Sequence, residues 1–281
     1  MSQARVLATG LAIGESPRWH DGRLWLANWG TQQIVAVGVD GAAEVVTEVP
    51  EATIPFSLDW LPDGRLVVIS HTQLLAEEPG GALAPIAELS GVAGGFNEIV
   101  VDGHGHVYVN GGDFNPMTGE EFKPGVIALA DADGSVRRVA DGIAFPNGMA
   151  VTPDNATLII AESYGRRLTA FDIGADGGLS GRRVWADLGD GVPDGICLDA
   201  QGAVWYADVP NQRCVRVREG GEVLATVTAD RGCFACMLGG DDGRTLFVLA
   251  ARWGGMDQID DAARAGQVLT AGAPAPGAGW P

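Results

Sequence analysis

The sequence has 281 residues, of which 46% are apolar, and a formal net charge of −18 at pH 7. A chain of this length and composition can bury a large core, so it is predicted to be globular rather than disordered. The negative charge repels phosphate groups, which argues against nucleic acid and anionic membranes as partners.

The N-terminus and the cysteines bear on location. The first residues, MSQARVLATG, lack the long apolar core of a signal peptide, and no apolar run approaches the length that spans a bilayer. Four cysteines are too few for a disulfide scaffold in a chain of this size. We therefore expect a cytoplasmic protein. Because no linker or change of composition divides the chain, we also expect a single domain over residues 1–281.

One short pattern recurs along the chain: an apolar strand, a turn containing Asp, Gly or Asn, and a second apolar strand. In chain order the copies read SPRWHDGRLWLAN, SLDWLPDGRLVVIS, EIVVDGHGHVYVN, GMAVTPDNATLIIAES, GICLDAQGAVWYAD and ACMLGGDDGRTLFVLAA. Their second strands lie about 40 to 50 residues apart, which is the spacing of blades in a β-propeller.

Further strands follow these hairpins. The first is followed by QQIVAVGV and AAEVVTEV, the fourth by RRLTAFDI and GRRVWADL, and the fifth by RCVRVRE and GEVLATVT. These runs alternate apolar and polar residues, as half-buried antiparallel strands do. The last copy is followed only by GQVLTAG, whereas ARVLATG precedes the first. The pattern predicts an all-β, six-bladed β-propeller whose N-terminal strand completes the last blade.

Polar residues interrupt the apolar pattern where the first strand of each blade begins. In a propeller these six strand starts meet at one mouth of the central channel. The residues at these places are Glu15, Ser57, Asn97 with Glu98, Asn147, Asp194 and Cys236. A buried carboxylate is costly unless it is paired or binds a metal, and no Lys or Arg holds an equivalent place. Oxygen ligands suit a divalent cation such as Ca²⁺, and the alternative is a hydrogen-bonded polar plug.

Other candidate ligands have a structural explanation. The aspartates between the first and second strands lie in D-G-like turns, for which Asp and Gly are favoured by their backbone conformations. His104 and His106 occupy such a turn and are predicted to be turn residues rather than zinc ligands. Cys233 and Cys236 form a single C-x-x-C pair, which is too few ligands for a zinc site. They are predicted to be buried apolar residues, as is Cys197.

Three segments carry a resemblance to a known family. They are Gly14–Trp19 (GESPRW), Phe145–Ala150 (FPNGMA) and Pro193–Ile196 (PDGI). Together, in this order and on a sixfold repeat, they resemble the senescence-marker-protein-30/gluconolactonase family. That family is a six-bladed propeller with one divalent metal at the channel mouth. Its members open lactone rings, and relatives also hydrolyse phosphotriesters.

The resemblance also implies roles for individual residues. It makes Glu15, Asn147 and Asp194 the metal ligands, and it places Asn97 in contact with the substrate or a metal-bound water. The expected cofactor is one divalent cation, most simply Ca²⁺, with Zn²⁺, Mn²⁺ or Mg²⁺ as alternatives. Asp194 is the candidate general base, because a carboxylate that binds the metal can lie beside the attacking water.

The sequence departs from the family at its sugar-binding positions. Where the family has R-x-N-D, this chain reads Gly95-Phe96-Asn97-Glu98, so the arginine associated with sugar hydroxyls is missing. A following G-T-M motif is replaced by Asn110-Gly111-Gly112. Apolar side chains are available nearby, and the segment 110–125 could cover the mouth. The candidate substrate contacts are Asn97, Glu98, Phe96, Phe114, Met117, Phe122, Tyr164 and Trp29.

The sequence therefore predicts a divalent-metal-dependent hydrolase that opens a lactone and is not a strict sugar lactonase. Its partner is a small-molecule substrate, and the pattern indicates no particular oligomeric state. Two rival interpretations remain open. One is a phosphotriesterase-like hydrolase that uses the same metal, and the other is a non-catalytic propeller that binds a ligand.

Overall fold

The computed structural model describes residues 2–49, 54–114, 119–254 and 265–278. Strands form nearly all of the regular structure in these ranges, and the remaining element is a short 3-10 helix at Trp29–Thr31. None of the described residues belongs to a helix that is long and apolar enough to cross a membrane. The predicted all-β class is confirmed.

Blades 1 to 3 each contain four antiparallel strands in chain order. Blade 1 consists of β3 (Gly14–His20), β4 (Arg23–Asn28), β5 (Gln33–Val37) and β6 (Ala43–Glu48). Blade 2 consists of β7 (Phe56–Trp60), β8 (Leu66–Ser70), β9 (Gln73–Glu77) and β10 (Leu83–Glu88). Blade 3 consists of β11 (Gly95–Val101), β12 (Val107–Gly112), β13 (Gly125–Ala130) and β14 (Val136–Ile143).

Blades 4 to 6 repeat this arrangement, and the N-terminal segment contributes to the last two. Blade 4 consists of β15 (Pro146–Val151), β16 (Thr157–Glu162), β17 (Arg167–Ile173) and β18 (Leu179–Asp187). Blade 5 consists of β19 (Pro193–Leu198), β20 (Val204–Asp208), β21 (Arg213–Val217), β22 (Val223–Thr228) and the added β1 (Ser2–Gln3). Blade 6 consists of β23 (Gly232–Gly239), β24 (Thr245–Ala251), β25 (Gly266–Gly272) and the outer strand β2 (Arg5–Leu11).

The six first strands form a closed ring around the channel. Each contacts the first strand of the next blade, in the order β3, β7, β11, β15, β19, β23 and back to β3. The ring is sealed by β2, which pairs antiparallel with β25 from Arg5 opposite Thr270 to Leu11 opposite Gly266. The predicted six-bladed propeller and its closure by the N-terminal strand are therefore confirmed. The parallel pairing of β1 with β22 of blade 5 was not predicted.

The core lies between neighbouring blades rather than in one central mass. One cluster joins blades 5, 6 and 1, and there Trp205, Phe247 and Leu249 are almost completely buried. Burial of each such side chain stabilises the fold by about 1.5–3 kcal/mol. All four cysteines lie in this cluster as buried free thiols, as predicted for three of them.

The turn ends of the first strands are closed by their aspartates. Asp102 Oδ1 accepts hydrogen bonds from the backbone N–H groups of His104 and His106, each at 2.9 Å, and its Oδ2 lies 2.8 Å from His106 Nδ1. In blade 5, Asp199 Oδ2 accepts a hydrogen bond from Arg216 Nε at 2.6 Å. These carboxylates are fully buried but partnered, so they hold the turns together, as predicted.

Candidate metal centre at the channel mouth

The first strands are irregular at the mouth. In five blades the pairing of the first strand with the second shifts register at or beside the residue predicted to face the channel. The shifts lie at Glu15/Arg18, Phe96/Glu98, Pro146/Met149, Pro193/Ile196 and Cys233/Ala235. Blade 2, which contributes Ser57, pairs without a shift. Such bulges bend a strand and re-aim its side chains, and they are common beside active sites.

Glycines after two predicted ligands let the strands approach closely. A Cβ atom added to Gly148 would lie 2.5 Å from the backbone N of Ile196 and 2.8 Å from the carbonyl oxygen of Asp194. A Cβ atom added to Gly195 would lie 2.5 Å from the Cβ of Ala235. The N-G and D-G pairs of the sequence therefore bring β15, β19 and β23 together, and with them the side chains of Asn147 and Asp194.

Glu15 and Asp194 are two neighbouring carboxylates at the mouth, of which Glu15 is buried and Asp194 is half-buried. Burial raises the pKa of Glu15 well above its usual range, and the negative charges of Asp194 and Glu98 raise it further. Burial also raises the pKa of Asp194, as does the charge of Glu98, whereas a hydrogen bond from the Asn147 side chain lowers it. Within the described part of the chain, neither carboxylate forms an ion pair with a Lys, Arg or His.

Glu98 is different, because it has a cationic partner. Arg18 is 5% exposed, and its Nη2 donates to Glu98 Oε1 at 3.1 Å. The hydroxyls of Ser16 and Ser57 donate to the two oxygens of Glu98 at 3.0 Å and 2.5 Å. Both oxygens of Glu98 are thus engaged within the protein. That Glu98 contacts the substrate stays a prediction, and the pairing of Glu98 with Arg18 was not predicted.

Amide side chains of blade 3 hold the strand that carries Asn147. Asn97 Nδ2 donates to the carbonyl oxygen of Pro146 at 3.2 Å, and Asn110 Nδ2 donates to that of Asn147 at 2.6 Å. Asn110 is completely buried, and its Oδ1 has no hydrogen-bond partner among the described residues. Asn97 lies at the mouth and is partly exposed. No role was predicted for Asn110 from the sequence.

The serine after β16 links the last two ligand strands. Asn147 Nδ2 faces Ser163 Oγ at 3.5 Å, and Ser163 Oγ donates to the carbonyl oxygen of Pro193 at 2.7 Å. Ser163 is 6% exposed. This contact fixes β15 of blade 4 relative to β19 of blade 5, the strands from which Asn147 and Asp194 extend.

The apolar residues that were predicted to contact the substrate do not all lie together. Phe114, Phe122 and Tyr164 contact one another through their rings. Phe96 is 2% exposed and packs in the core cluster of blades 2 and 3, which corrects its expected role as a substrate contact.

Two further apolar residues were predicted to contact the substrate. Trp29 lies in the 3-10 helix, where its indole N–H donates to the carbonyl oxygen of Phe56 at 2.7 Å and its ring packs on the buried Ile13. Met117 lies outside the described residues.

The donor set fits a hard divalent cation. No group of three or more His, Cys, Asp or Glu side chains in the described ranges is arranged to hold a metal. Here two carboxylates and one amide, from Glu15, Asp194 and Asn147, converge instead. Two neighbouring carboxylates without a cation repel each other, and a divalent ion bound by their oxygens relieves this repulsion. The chemistry of these residues therefore matches the group that the sequence predicted.

The clearest cavity lies at the opposite end of the propeller. It has a volume of about 470 Å³ and is lined by turn-end residues that include Thr152, Asp199 and Gly202. Its buried carboxylate, Asp199, already has an arginine partner, and its second carboxylate, Glu219, is exposed. This cavity therefore lacks the buried, unpaired carboxylate that distinguishes the mouth.

Comparison with known proteins shows the family of the chain and agrees with its fold. L-arabinolactonase of Azospirillum brasilense is 30% identical over 285 residues, which cover 96% of this chain and 91% of that protein. Pentonolactonase XacC of Haloferax volcanii is 24% identical over 213 residues, or 74% of this chain and 70% of that protein. The solved structure of a calcium-binding protein, regucalcin from Agrobacterium tumefaciens, has the same fold, with a TM-score of 0.80 at 22% identity over 99% of this chain and 95% of that one. The family model described as the SMP-30/gluconolactonase/LRE-like region matches residues 13–252, and the chain belongs to this family.

Proposed function

We propose that this protein is a divalent-metal-dependent hydrolase that opens a lactone ring. One observation carries the proposal: the buried Glu15 of blade 1 and the half-buried Asp194 of blade 5 lie beside each other at the mouth without an ion-pair partner among the described residues. The lactonases among the relatives of the chain support the reaction class. The calcium-binding regucalcin supports the choice of Ca²⁺ as the first cation to test.

In this proposal Glu15, Asn147 and Asp194 hold the cation with side-chain oxygens. When bound, the cation polarises the lactone carbonyl and lowers the pKa of a water molecule. Asp194 accepts a proton from the attacking water at a carboxylate oxygen. The water oxygen forms a bond to the carbonyl carbon, and the ring C–O bond breaks. The ring oxygen leaves as a hydroxyl after it takes up the proton, so the product is a hydroxy acid.

The neighbouring residues orient these groups. Ser163 and Asn110 fix the strand that carries Asn147, and Asn97, partly exposed at the mouth, orients the substrate or the water. Arg18 neutralises Glu98, which leaves Glu15 and Asp194 as the carboxylates that need a cation. The absence of the arginine at Gly95 favours a substrate with few hydroxyl groups, because buried hydroxyls without partners cost about 1–3 kcal/mol each.

The test combines metal removal with a substrate panel. The purified protein is stripped with a chelator and reloaded with Ca²⁺, Zn²⁺, Mn²⁺ or Mg²⁺ in turn. Proton release in weak buffer reports the hydrolysis of γ- and δ-lactones and of a sugar lactone, and phenol release reports that of an aryl phosphotriester. We expect lactone hydrolysis that disappears with the chelator and returns with one cation. The variant Glu15→Gln should not recover, whereas Glu44→Gln, in an exposed ion pair with Arg23, should recover fully.

Three results would contradict the proposal. Lactone hydrolysis that is unaffected by the chelator would remove the metal from the mechanism. Faster turnover of the phosphotriester than of any lactone would make the protein a phosphotriesterase. No hydrolysis of any ester by protein with full metal occupancy, measured by elemental analysis, would indicate a non-catalytic binding propeller.

A further inference from the structure

Four aromatic side chains meet at the mouth, on the side of blades 3 and 4. Phe114 and Phe122 belong to the connection between β12 and β13, Phe145 directly precedes β15, and Tyr164 follows the end of β16. We call these four residues the ring cluster. They come from two blades and from separate parts of the sequence, so only the fold brings them together.

The rings of the cluster pack on one another. Phe145 and Tyr164 are stacked, with centroids 4.5 Å apart and an interplanar angle of 15°. Phe122 lies 5.2 Å from Tyr164, and Phe114 meets Phe122 edge to face at 5.3 Å. These are the favourable arrangements of aromatic pairs. The cluster is therefore a shaped surface rather than four independent side chains.

This surface remains open to solvent. Tyr164 is 54% exposed and Phe122 is 37% exposed, whereas Phe114 and Phe145 are half-buried. A group of exposed aromatic rings that is rimmed by polar residues marks a binding surface. The energetic cost of leaving these rings in water is recovered when an apolar ligand covers them.

The ring cluster is rigidly connected to the predicted metal ligands. Phe145 lies two residues before Asn147, and it has a φ of +63°, a strained conformation for a bulky residue. The backbone N–H of Ser163 donates to Phe145 O, and that of Tyr164 donates to Ala144 O, both at 3.1 Å. Since Ser163 also contacts Asn147 and β19, the rings and the ligand strands hold fixed positions relative to one another.

We propose that the ring cluster is the subsite for a flat apolar substituent, of the aryl class, on the lactone that the mouth opens. That a lactone is hydrolysed here rests on the proposed function, but the preference for an aryl substituent is inferred from the ring cluster itself. Apart from the Tyr164 hydroxyl, the four side chains offer no hydrogen-bonding group to a polyhydroxylated substrate. Stacked and edge-to-face rings instead match the face and the edge of another ring.

The test compares γ-phenyl-γ-butyrolactone with unsubstituted γ-butyrolactone. We expect the wild-type protein to prefer the phenyl lactone by about tenfold in kcat/KM. Tyr164→Ala should remove most of this preference, because it should raise KM for the phenyl lactone about tenfold more than KM for the unsubstituted lactone. Tyr164→Phe keeps the ring and should behave as the wild type.

A matched control is available on another blade. Trp253, on blade 6, is 37% exposed, as is Phe122, and its ring packs against Phe234 at 5.5 Å, outside the ring cluster. Trp253→Ala should leave the preference intact. The proposal is overturned if Tyr164→Ala leaves the ratio of the two substrates unchanged, or if Trp253→Ala lowers that ratio equally.

A binding measurement tests the aryl subsite independently of lactone hydrolysis. The ring-opened acid 4-hydroxy-4-phenylbutanoate is added to wild type and to Tyr164→Ala, and saturation transfer to its phenyl protons is measured by NMR. Transfer in the wild type that is lost in Tyr164→Ala supports the subsite, even if no lactone is hydrolysed and the proposed function fails. Absent transfer, or equal transfer in both proteins, overturns the subsite while leaving the hydrolase proposal standing.

Discussion

The two ends of the channel strands place the same residue types in opposite situations. At the turn end, Asp102 and Asp199 are fully buried, and each carboxylate is satisfied by backbone N–H groups and by a His or Arg side chain. At the mouth, Glu15 is buried and Asp194 is half-buried beside it, and neither has a cationic partner among the described residues. Burial of a carboxylate therefore does not by itself mark a functional site. The mark is a buried charge whose partner the protein does not supply.

The largest effect should come from removing that charge at the mouth. Asp194→Asn keeps the shape of the side chain but removes the proton acceptor and a metal ligand. Lactone kcat should fall by about a thousandfold, because proton transfer by a positioned carboxylate contributes on this scale. Since the change also relieves repulsion with Glu15, the melting temperature of the metal-free protein should not fall. A large drop in that melting temperature would mean that Asp194 is structural. Asn97→Ala should cost much less activity than Asp194→Asn.

The equivalent change at the turn end should have the reverse outcome. Asp199→Asn leaves the buried Arg216 without its anionic partner, which should destabilise the fold by about 3 kcal/mol. The lactone kcat/KM of the folded protein should be unchanged. Urea unfolding and lactone kinetics of the same sample measure both effects. If Asp199→Asn instead lost activity without losing stability, the distinction between the two ends would fail.

A smaller loss of activity should follow when β15 and β19 are pushed apart without substitution of a predicted metal ligand. In Gly148→Ala the new Cβ would meet the backbone of β19 at 2.5 Å, so the two strands must move apart and Asn147 must move away from Asp194. A displacement of this kind should lower kcat by about a hundredfold. Gly272→Ala, in β25, is the control, because nothing lies within 4 Å of its added Cβ. Equal activity of the two variants would show that the close approach at Gly148 is unimportant.

The smallest effect concerns a carboxylate near the mouth that does have partners. Burial alone would raise the pKa of Glu162, but hydrogen bonds from Arg167, Thr169 and the N–H of Ala144 outweigh it and hold this pKa below its usual range. A lowered folded pKa stabilises the protein above the unfolded pKa of about 4.3, and this stabilisation is lost as the pH falls through the folded value.

Thermal unfolding at pH 7 and at about pH 4 measures this contribution. The wild type should lose more stability than Glu162→Gln over this interval. Glu44→Gln removes an exposed carboxylate and should follow the wild type. An equal loss in all three proteins would show that Glu162 does not contribute to the acid sensitivity of the fold.

The repeat pattern was sufficient to predict the six blades and their closure by the N-terminal strand. These depend on local signals, namely alternating apolar residues and Asp-Gly turns, which need no knowledge of neighbouring blades. The pairing of Arg18 with Glu98 could not be predicted in this way, because the two residues lie 80 positions apart and meet only through the register of β3, β7 and β11.

Side-chain direction was the other source of error. Phe96 and Asn97 are adjacent, yet the bulge between Phe96 and Glu98 sends the Phe96 ring into the core and leaves Asn97 at the mouth. The sequence did not predict that Phe145 lies at the mouth. Its backbone adopts a left-handed conformation that favours glycine, which the sequence pattern does not indicate for a phenylalanine. A bulge or a single positive φ changes the direction of a side chain without a clear signal in the apolar pattern.

The seam of the ring has a consequence for how the protein is made. Only β1 is synthesised before β2, but the partner of β2, β25, ends at Gly272, so blade 6 cannot be completed until the first five blades have left the ribosome. Until then β2 is an unpaired strand, and such strands invite association with other chains. Only two of its seven residues, Ala8 and Leu11, are buried in the finished blade. The segment that waits longest for its partner nevertheless carries four apolar side chains, those of Val6, Leu7, Ala8 and Leu11, which stay unpaired until blade 6 closes.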